Sequence, residues 1–401
     1  LPTPTRSPLA SPTPAPTLPT ESQLEIFQQL WDIVDENYLY PDFNGVDWNA
    51  AHETYRQRIE NGLTNDEFYT AMDEMITSLG DDHSVFLSPQ EAADEDAEYA
   101  SNLDYVGIGI YVLAVPERNR AAILVTFPGS PAEEAGILPH DSILSADGQP
   151  ILDAEGNLRD IVRGPEGTSV TLQVQTPGEA PRTLVVPRRR ISGGLPVPFQ
   201  AVLSPAGKRI GYILLPTFGD GNVDDLVGQA LQTMTQDGPL DGLVVDNRMN
   251  GGGASPVLEG TLSYFASGTL GHFISRNEEY PLQVTGRNVD GSQDVPLVVL
   301  VGKDTVSYGE VFAGVLQDIG RAHLIGDTTD GNVETLYGYD FPGGSRAWIA
   351  HDSFRPLNHP NLDWEATGII PEETVPAAWD EFTFETDPAI RAALAYFDSL
   401  P

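Results

Sequence analysis

Ser307 is the first residue whose surroundings suit chemistry. It follows an apolar run, Pro296 to Val301, and a short polar turn, and it precedes a stretch of helical spacing that begins near Gly309. A serine at such a strand-to-helix junction has two readings. As an N-cap, its hydroxyl accepts a hydrogen bond from the first turn of the helix. As a nucleophile, it borrows the free N–H groups and positive end of the helix to stabilise an oxyanion. A second segment, Asp246-Asn247-Arg248-Met249-Asn250-Gly251-Gly252-Gly253, ends another apolar run in three consecutive glycines. Such a loop presents backbone amides to an anion, or is a flexible turn. It lacks the Lys-Ser/Thr of a phosphate-binding loop. His83, in Leu79-Gly80-Asp81-Asp82-His83, has acidic neighbours that raise imidazole basicity and fix its tautomer, although a histidine after a helix is more commonly structural. Glu365, in Trp364-Glu365-Ala366-Thr367-Gly368-Ile369-Ile370-Pro371, reads by itself as an ordinary surface acid. The remaining histidines (His52, His140, His272, His323, His351, His359) show no metal-ligand spacing, so neither a metal nor another cofactor is expected.

The elements that must position these residues fall into three segments. From about Glu21 to Asn102 the chain reads as helical. Phe27, Leu30, Trp31, Val34 and Tyr38 recur at helical spacing up to Pro41, a second helix covers about Trp48 to Asn61, and a third starts at Thr64. The third carries Phe68, Met72, Met75 and Ile76 on one face and Thr64-x-x-Glu67 as a capping box. From about Leu103 to Ile191 short strands are expected, at 106–110, 121–125, 141–146 and 170–174, with a short helix at 131–135 closed by Gly136. Gly107 and Gly109 let backbone amides approach a ligand. From about Gly194 to Pro401 strands (210–215, 242–246, 295–301, 323–326) alternate with helices (223–236, 256–265, 309–318), which predicts a layered α/β domain. Residues 1–20, rich in Pro, Thr and Ser, cannot bury a core and read as a disordered tether.

Composition narrows the function classes. The 401-residue chain carries 21 Lys+Arg against 59 Asp+Glu, a formal net charge of -38, which repels nucleic acid and anionic membrane surfaces. Cysteine is absent, so disulfides, thiol nucleophiles and cysteine metal sites are excluded. No apolar run is long enough for a transmembrane helix. The tether suits the segment that follows a removed signal or lipid-anchor sequence, so an exported location is expected: periplasmic, cell-surface or extracellular.

Taken together, these motifs resemble the serine peptidase family that contains the carboxyl-terminal processing (tail-specific) proteases and the tricorn core protease. The resemblance rests on the Gly-Ser-Pro-Ala-x-x-Ala-Gly-Ile and Asp-x-Ile-Leu-x-x-Asp-Gly runs of a PDZ domain in the second segment. It rests equally on the Asp-x-Arg-x-Asn-Gly-Gly-Gly loop at 246–253, and on Ser307-Tyr308-Gly309-Glu310-Val311-Phe312-Ala313-Gly314 followed by Leu316-Gln317-Asp318-Ile319-Gly320-Arg321-Ala322. It implies an α/β multidomain protein: a disordered linker at 1–20, an N-terminal helical domain at 21–102, a PDZ-like β domain at 103–191, and an α/β serine peptidase domain at 192–401. The last would be a layered α/β domain of the ClpP/crotonase type. Processing proteases of this family pair the serine with a lysine in a Gly-Lys-Gly turn. Here Asn332 stands at that place, in Gly326-Asp327-Thr328-Thr329-Asp330-Gly331-Asn332-Val333, and an amide cannot take the serine's proton. The tricorn-like branch instead uses a histidine in a Leu-Gly-x-x-His context and a glutamate in Glu-x-x-Gly-Val/Ile-x-Pro, which His83 and Glu365 match. Asp82 stands where that branch has a serine.

The resemblance therefore implies a serine endopeptidase in which Ser307 attacks, His83 accepts and returns the proton, Glu365 supports the charge network and Asp82 orients His83. The oxyanion would be held by the N–H of Tyr308 and of Gly251 or Gly252. Val106, Gly107, Ile108 and Gly109 would form the carboxylate loop of the PDZ-like domain. That domain would take extended polypeptide ends, unstructured or carboxyl-terminal tails, by strand addition. Two other classes compete: a catalytically inactive PDZ-containing peptide-binding protein, favoured by Asn332, and a carrier of a small apolar ligand.

Overall fold

In the computed structural model, residues 18–81, 83–100 and 103–401 are described. Most of the expected tether, and Asp82, lie outside them. The described chain divides into two compact units. One comprises the residues up to Ala92 together with Leu336–His351, the other Ala93–Thr335 with Asp352–Pro401. No helix among the described residues is long and apolar enough to cross a membrane.

The first unit is built on helices Thr20–Asn37, Trp48–Glu60 and Asn65–Thr77. Ile26, Phe27, Leu30 and Val34 recur every three or four residues and form the buried stripe of the first helix. The capping box forms as the spacing predicts: the Glu67 N–H donates to the Thr64 hydroxyl, and the Thr64 N–H donates to the Glu67 carboxylate at 2.8 Å. Trp31 and Trp48 stack, and each indole N–H donates to the other's carbonyl, at 3.0 and 3.3 Å, so the half-buried Trp31 and the buried Trp48 pack without stranding a polar atom. Strand Val85–Leu87 pairs antiparallel with Arg346–Trp348, the start of the long strand Arg346–Pro356. Phe341, Ala347, Ile349 and Ala350 of that distant hairpin complete the core of the helices.

The second unit begins with a β domain. Its main sheet has the order Ile110–Val115, Arg120–Thr126, Ser142–Ala146, Ser169–Gln175, Arg182–Pro187, with Ile110–Val115 at the edge. One expectation is corrected here. The stretch 106–110 is not one strand: Leu103–Gly107 pairs with Arg189–Gly193, and Ile110 starts a different strand. Gly109 turns the chain between them at φ +79°, in a space where an added Cβ would lie 2.4 Å from that of Ser130. Helix Pro131–Glu134 ends at Gly136, φ +74°, as its sequence predicts.

The α/β part is a six-stranded sheet ordered Phe199–Leu203, Arg209–Leu214, Gly242–Asp246, Leu297–Val301, Ala322–Gly326, Glu373–Thr374, parallel after the first pair. Both faces are covered, which is why these strands read as unbroken apolar runs. Leu297, Val299 and Val301 face helices Val223–Thr235, Ser255–Leu262 and Tyr308–Asp318. Val298 and Leu300 face the other way, toward helix Pro388–Ser399 and the β domain's Ala122 and Leu124. The β domain is fastened to the segment that leads to this helix. Arg118 makes two hydrogen bonds to the buried Asp380, His140 stacks on Trp379 at 3.8 Å, and the Trp379 indole donates to the Ile123 carbonyl at 2.9 Å.

Candidate active site

Ser307 occupies the residue before helix Tyr308–Asp318, yet its side chain makes no capping hydrogen bond. Its backbone has φ 56° and ψ -129°, a conformation that costs a side-chain-bearing residue on the order of 1–3 kcal/mol. Of the two sequence readings, the N-cap therefore lacks its defining bond. Strain of this kind persists only where neighbours enforce it, and they do. The Ser307 N–H donates to the Asn332 carbonyl at 2.7 Å, and the Val306 N–H to the Asn250 carbonyl at 3.0 Å. Gly309 packs so closely that a Cβ would stand 2.3 Å from the Asn250 oxygen. The half-buried serine thus sits on a sharp turn between strand Leu297–Val301 and the helix, as nucleophiles on α/β sheets do.

The glycine loop meets this turn. Gly252, at φ +89°, leaves a space in which a Cβ would lie 2.9 Å from the Ser307 hydroxyl oxygen and 3.0 Å from the Tyr308 nitrogen. Ser307, Tyr308 and Gly252 are thereby brought together. The Gly252 N–H is already donated to the Asn250 side-chain oxygen at 2.9 Å. Gly251 is exposed, and among the described residues its N–H has no hydrogen-bond partner. The sequence leaves the two glycines equivalent, and the Asn250 side chain distinguishes them. A polar framework fixes the loop from behind. The Asn250 amide donates to Asn247 at 3.0 Å, the Asn247 amide to the Gly309 carbonyl at 2.8 Å, and the Thr305 hydroxyl to the Asn247 carbonyl at 2.9 Å. Arg248, fully enclosed, bridges Asp246 (2.6 Å) and Asp387 (2.7 Å). Burial alone would raise the Asp246 pKa, but the guanidinium outweighs it and holds the carboxyl below its ordinary value.

Beyond the serine, Glu310 is a buried carboxylate in the first turn of helix Tyr308–Asp318, just ahead of the apolar run Val311 to Leu316. It accepts from the Thr329 hydroxyl, the Gly331 N–H (2.9 Å) and the Asn332 N–H (2.8 Å), and so clamps the 329–332 turn against the serine helix. Burial pushes its pKa up, and those three donors oppose the rise. Sequence reasoning did not single it out; the signal was an acid set directly before an apolar helical run, Val311 to Leu316. Glu365, on the short helix Trp364–Thr367, accepts from the Val333 N–H at 2.7 Å. Burial, with the charge of Glu310 nearby, raises its pKa to about 7. Glu365 and Ser307 are joined through the Val333–Asn332 backbone. Asn332, at the family's lysine position, keeps its side-chain oxygen buried without a hydrogen bond among the described residues.

His83 belongs to the first unit. Its turn is organised by Asp81, whose carboxylate accepts from the His83 N–H at 3.0 Å and from the Ser84 N–H and hydroxyl at 2.7 Å each. The Ser84 hydroxyl in turn accepts from the Ala350 N–H at 3.0 Å. Asp81 is thus a structural residue that the sequence did not distinguish from Asp82.

Two cavities flank the outermost strand of the β domain. Tyr111 and Leu113 join Met249, Val306, Glu95 and Gly252 around a cleft of about 430 Å³ beside the glycine loop. Ile110 and Val112 alternate with them and line a separate groove of about 350 Å³ that begins at Gly107–Gly109.

Comparison with known proteins identifies the architecture. The model for Peptidase family S41 matches residues 209–375, that for the Tricorn protease C1 domain residues 19–77, and that for the PDZ domain residues 128–176. A carboxyl-terminal-processing protease of Synechocystis sp. (strain ATCC 27184 / PCC 6803 / Kazusa) is 32% identical over 385 residues, 94% of this chain and 86% of that protein. The chain belongs to peptidase family S41. Carboxyl-terminal-processing peptidase 2, chloroplastic, of Arabidopsis thaliana is 30% identical to this S41 peptidase, over 91% of this chain and 71% of the other. The solved photosystem II D1 C-terminal processing protease matches it with a TM-score of 0.61 at 26% identity, covering 88% of this chain and 93% of that one. The chain is a serine peptidase of the carboxyl-terminal-processing type with a helical N-terminal region, a PDZ domain and an S41 domain.

Proposed function

We propose that this S41 peptidase cuts exported polypeptides near their carboxyl-terminal tails, with Ser307 as nucleophile and His83 as general base. The observation that carries the assignment is the backbone of Ser307, held at positive φ with no capping bond while the empty side-chain position of Gly252 faces its hydroxyl. Ser307 Oγ attacks the scissile carbonyl carbon as His83 takes its proton. The carbonyl oxygen becomes an oxyanion, received by the N–H groups of Tyr308 and Gly251. The intermediate collapses, the peptide nitrogen leaves with the proton from His83, and water repeats the sequence on the acyl-enzyme. Glu365 stabilises the imidazolium when ionised, and Asp82 orients the ring. Support for His83 comes from its Leu-Gly-x-x-His context, and for a non-lysine base from Asn332, whose amide has no basic nitrogen.

The division of labour follows residues 21–102, 103–191 and 192–401. The first supplies the base, the second holds the substrate tail at Val106–Gly109, and the third cuts. Export, with the Pro/Thr/Ser-rich segment as a spacer, fits a peptidase whose relatives are carboxyl-terminal-processing proteases. Covalent labelling by a fluorophosphonate probe tests the assignment. The adduct is expected on Ser307, with loss of labelling and of casein hydrolysis in both Ser307→Ala and His83→Ala. A His83→Ala enzyme of unchanged kcat would remove His83 from the mechanism.

A further inference from the structure

The groove beside Gly107–Gly109 contains a guanidinium with no partner among the described residues. Its walls are apolar at Ile108, Ile110, Val112 and Val162, and two arginines, Arg159 and Arg163, stand on the facing turn. Arg163 is engaged: its guanidinium lies over the Tyr105 ring at 4.7 Å, and its stem stands 3.7 Å from where a Gly107 Cβ would be. Arg159 is not. Its Nε is buried without a hydrogen bond, and no carboxylate pairs with it among the described residues, in a chain with 59 acidic residues. The turn that carries it is pinned by hydrogen bonds at both ends. The Arg159 N–H donates to the Ile151 carbonyl at 2.9 Å, and the buried Arg188 donates to the Val162 carbonyl at 2.8 Å. Leaving a buried donor unmade is costly, and a ligand that supplies an acceptor recovers that cost.

We propose that Arg159 selects substrate tails bearing an acidic side chain upstream of an apolar carboxyl-terminal residue. This inference rests on the reading of the groove as the tail-binding site. With the terminal carboxylate at Gly107–Gly109, an extended tail runs along the edge strand Ile110–Val115, and its alternate side chains enter the groove. Arg163 stands beside Gly107, at the carboxylate end, and its guanidinium is already seated on the Tyr105 ring, which leaves Arg159 of the same groove as the guanidinium to meet a side chain of the tail. The apolar walls admit an apolar last residue, and the free guanidinium adds charge complementarity for Asp or Glu.

The test uses the full chain with Ser307→Ala, so that peptides are bound and not consumed. Three decapeptides ending in leucine are titrated by calorimetry: one with Glu at the third position from the end, one with Gln there, and the Glu peptide with an amidated terminus. The Glu peptide is expected to bind about tenfold tighter than the Gln peptide. Adding Arg159→Gln should erase that difference and leave the affinity for the Gln peptide as it was, while Arg159→Lys should retain part of it. Amidation should weaken binding by the same factor with or without Arg159. A Glu preference that survives Arg159→Gln, or an Arg159→Gln loss that disappears on amidation, overturns the side-chain assignment while leaving the groove a tail site. Failure of all three peptides to bind overturns the tail-binding reading and this inference with it.

Discussion

Two glycine-bearing turns in this peptidase point backbone amides at a place where negative charge is expected, and they are built differently. The loop at 250–253 is held by side-chain hydrogen bonds from Asn247, Asn250 and Thr305 and by a buried Asp246–Arg248–Asp387 ion-pair chain. The turn at 107–109 is held by backbone bonds and packing and not by side-chain hydrogen bonds: the Ala132 N–H donates to the Ile108 carbonyl at 2.9 Å and the Phe127 N–H to the Gly109 carbonyl at 3.0 Å, the empty Cβ position of Gly109 faces Ser130 and Ile191, and Ile108 is buried in the β-domain core. The difference matches the charge each would meet. An oxyanion exists only during reaction, so its donors must already be fixed, and a network of short directional bonds does that. A terminal carboxylate is permanent, and a turn held by backbone bonds and packing suffices to receive it.

The largest effect that would break this comparison is expected from Gly252→Ala. The new methyl would overlap Ser307 on a backbone whose positive φ disfavours any side chain, so kcat on casein should fall about 100- to 1000-fold with the far-UV spectrum unchanged. Near-normal turnover would show that the space facing Ser307 is not used. Next, Asn250→Ala strips the acceptor from the Gly252 N–H. Turnover should fall about tenfold and stability by about 2 kcal/mol in urea titration, the cost of a buried unsatisfied donor. A stability loss without any change in kcat would separate the network from catalysis. Gly109→Ala should weaken tail-peptide binding roughly tenfold while leaving hydrolysis of a short ester substrate intact, because the binding turn lies outside the reacting centre. Equal losses on both substrates would mean that the two turns are not independent.

The smallest and most specific effect concerns Glu365. With its pKa raised from 4.5 to about 7, the folded protein keeps a proton that the unfolded chain has released between those values. Stability contributed by this group is therefore intact at low pH and lost as pH rises through that window. Glu365→Gln should stabilise the protein by on the order of 2 kcal/mol at pH 8 and change little at pH 4, measured by thermal unfolding. The same substitution should flatten the rise in kcat/KM through pH 7. Identical pH dependence of stability in parent and variant would place the carboxyl's titration elsewhere.

What was legible in the sequence was whatever local physics decides. The buried strands Gly242–Asp246 and Leu297–Val301 announced themselves as apolar runs because both faces of the sheet are covered. The capping box at Thr64 and the glycine closure at Gly136 are local signals read correctly. The chemistry of Ser307 was half legible: its place before a helix could be read, while the strained backbone that distinguishes a nucleophile from a cap comes from Asn332 and Asn250, distant in the chain. Gly251 and Gly252 stayed equivalent for the same reason, since only the folded position of Asn250 separates them. The hairpin completing the core of the N-terminal helices is missing from the sequence reading because its partners lie more than 250 residues away, as the pairing of Val85 with Trp348 shows. Helix Pro388–Ser399 carries usable signals that the reading passes over, with Asp387 as its cap and proline in its first turn.

The strand Ile110–Val115 serves as a party wall. Its even residues furnish one chamber and its odd residues the next, so the two specificities cannot drift apart freely. A deletion of one residue here would not trim a side chain from either chamber; it would exchange their linings wholesale, putting tyrosine and leucine among the aliphatic walls of the groove and isoleucine and valine beside the glycine loop. Lineages of this peptidase that acquire new targets are thus expected to change this strand by substitution and to conserve its length.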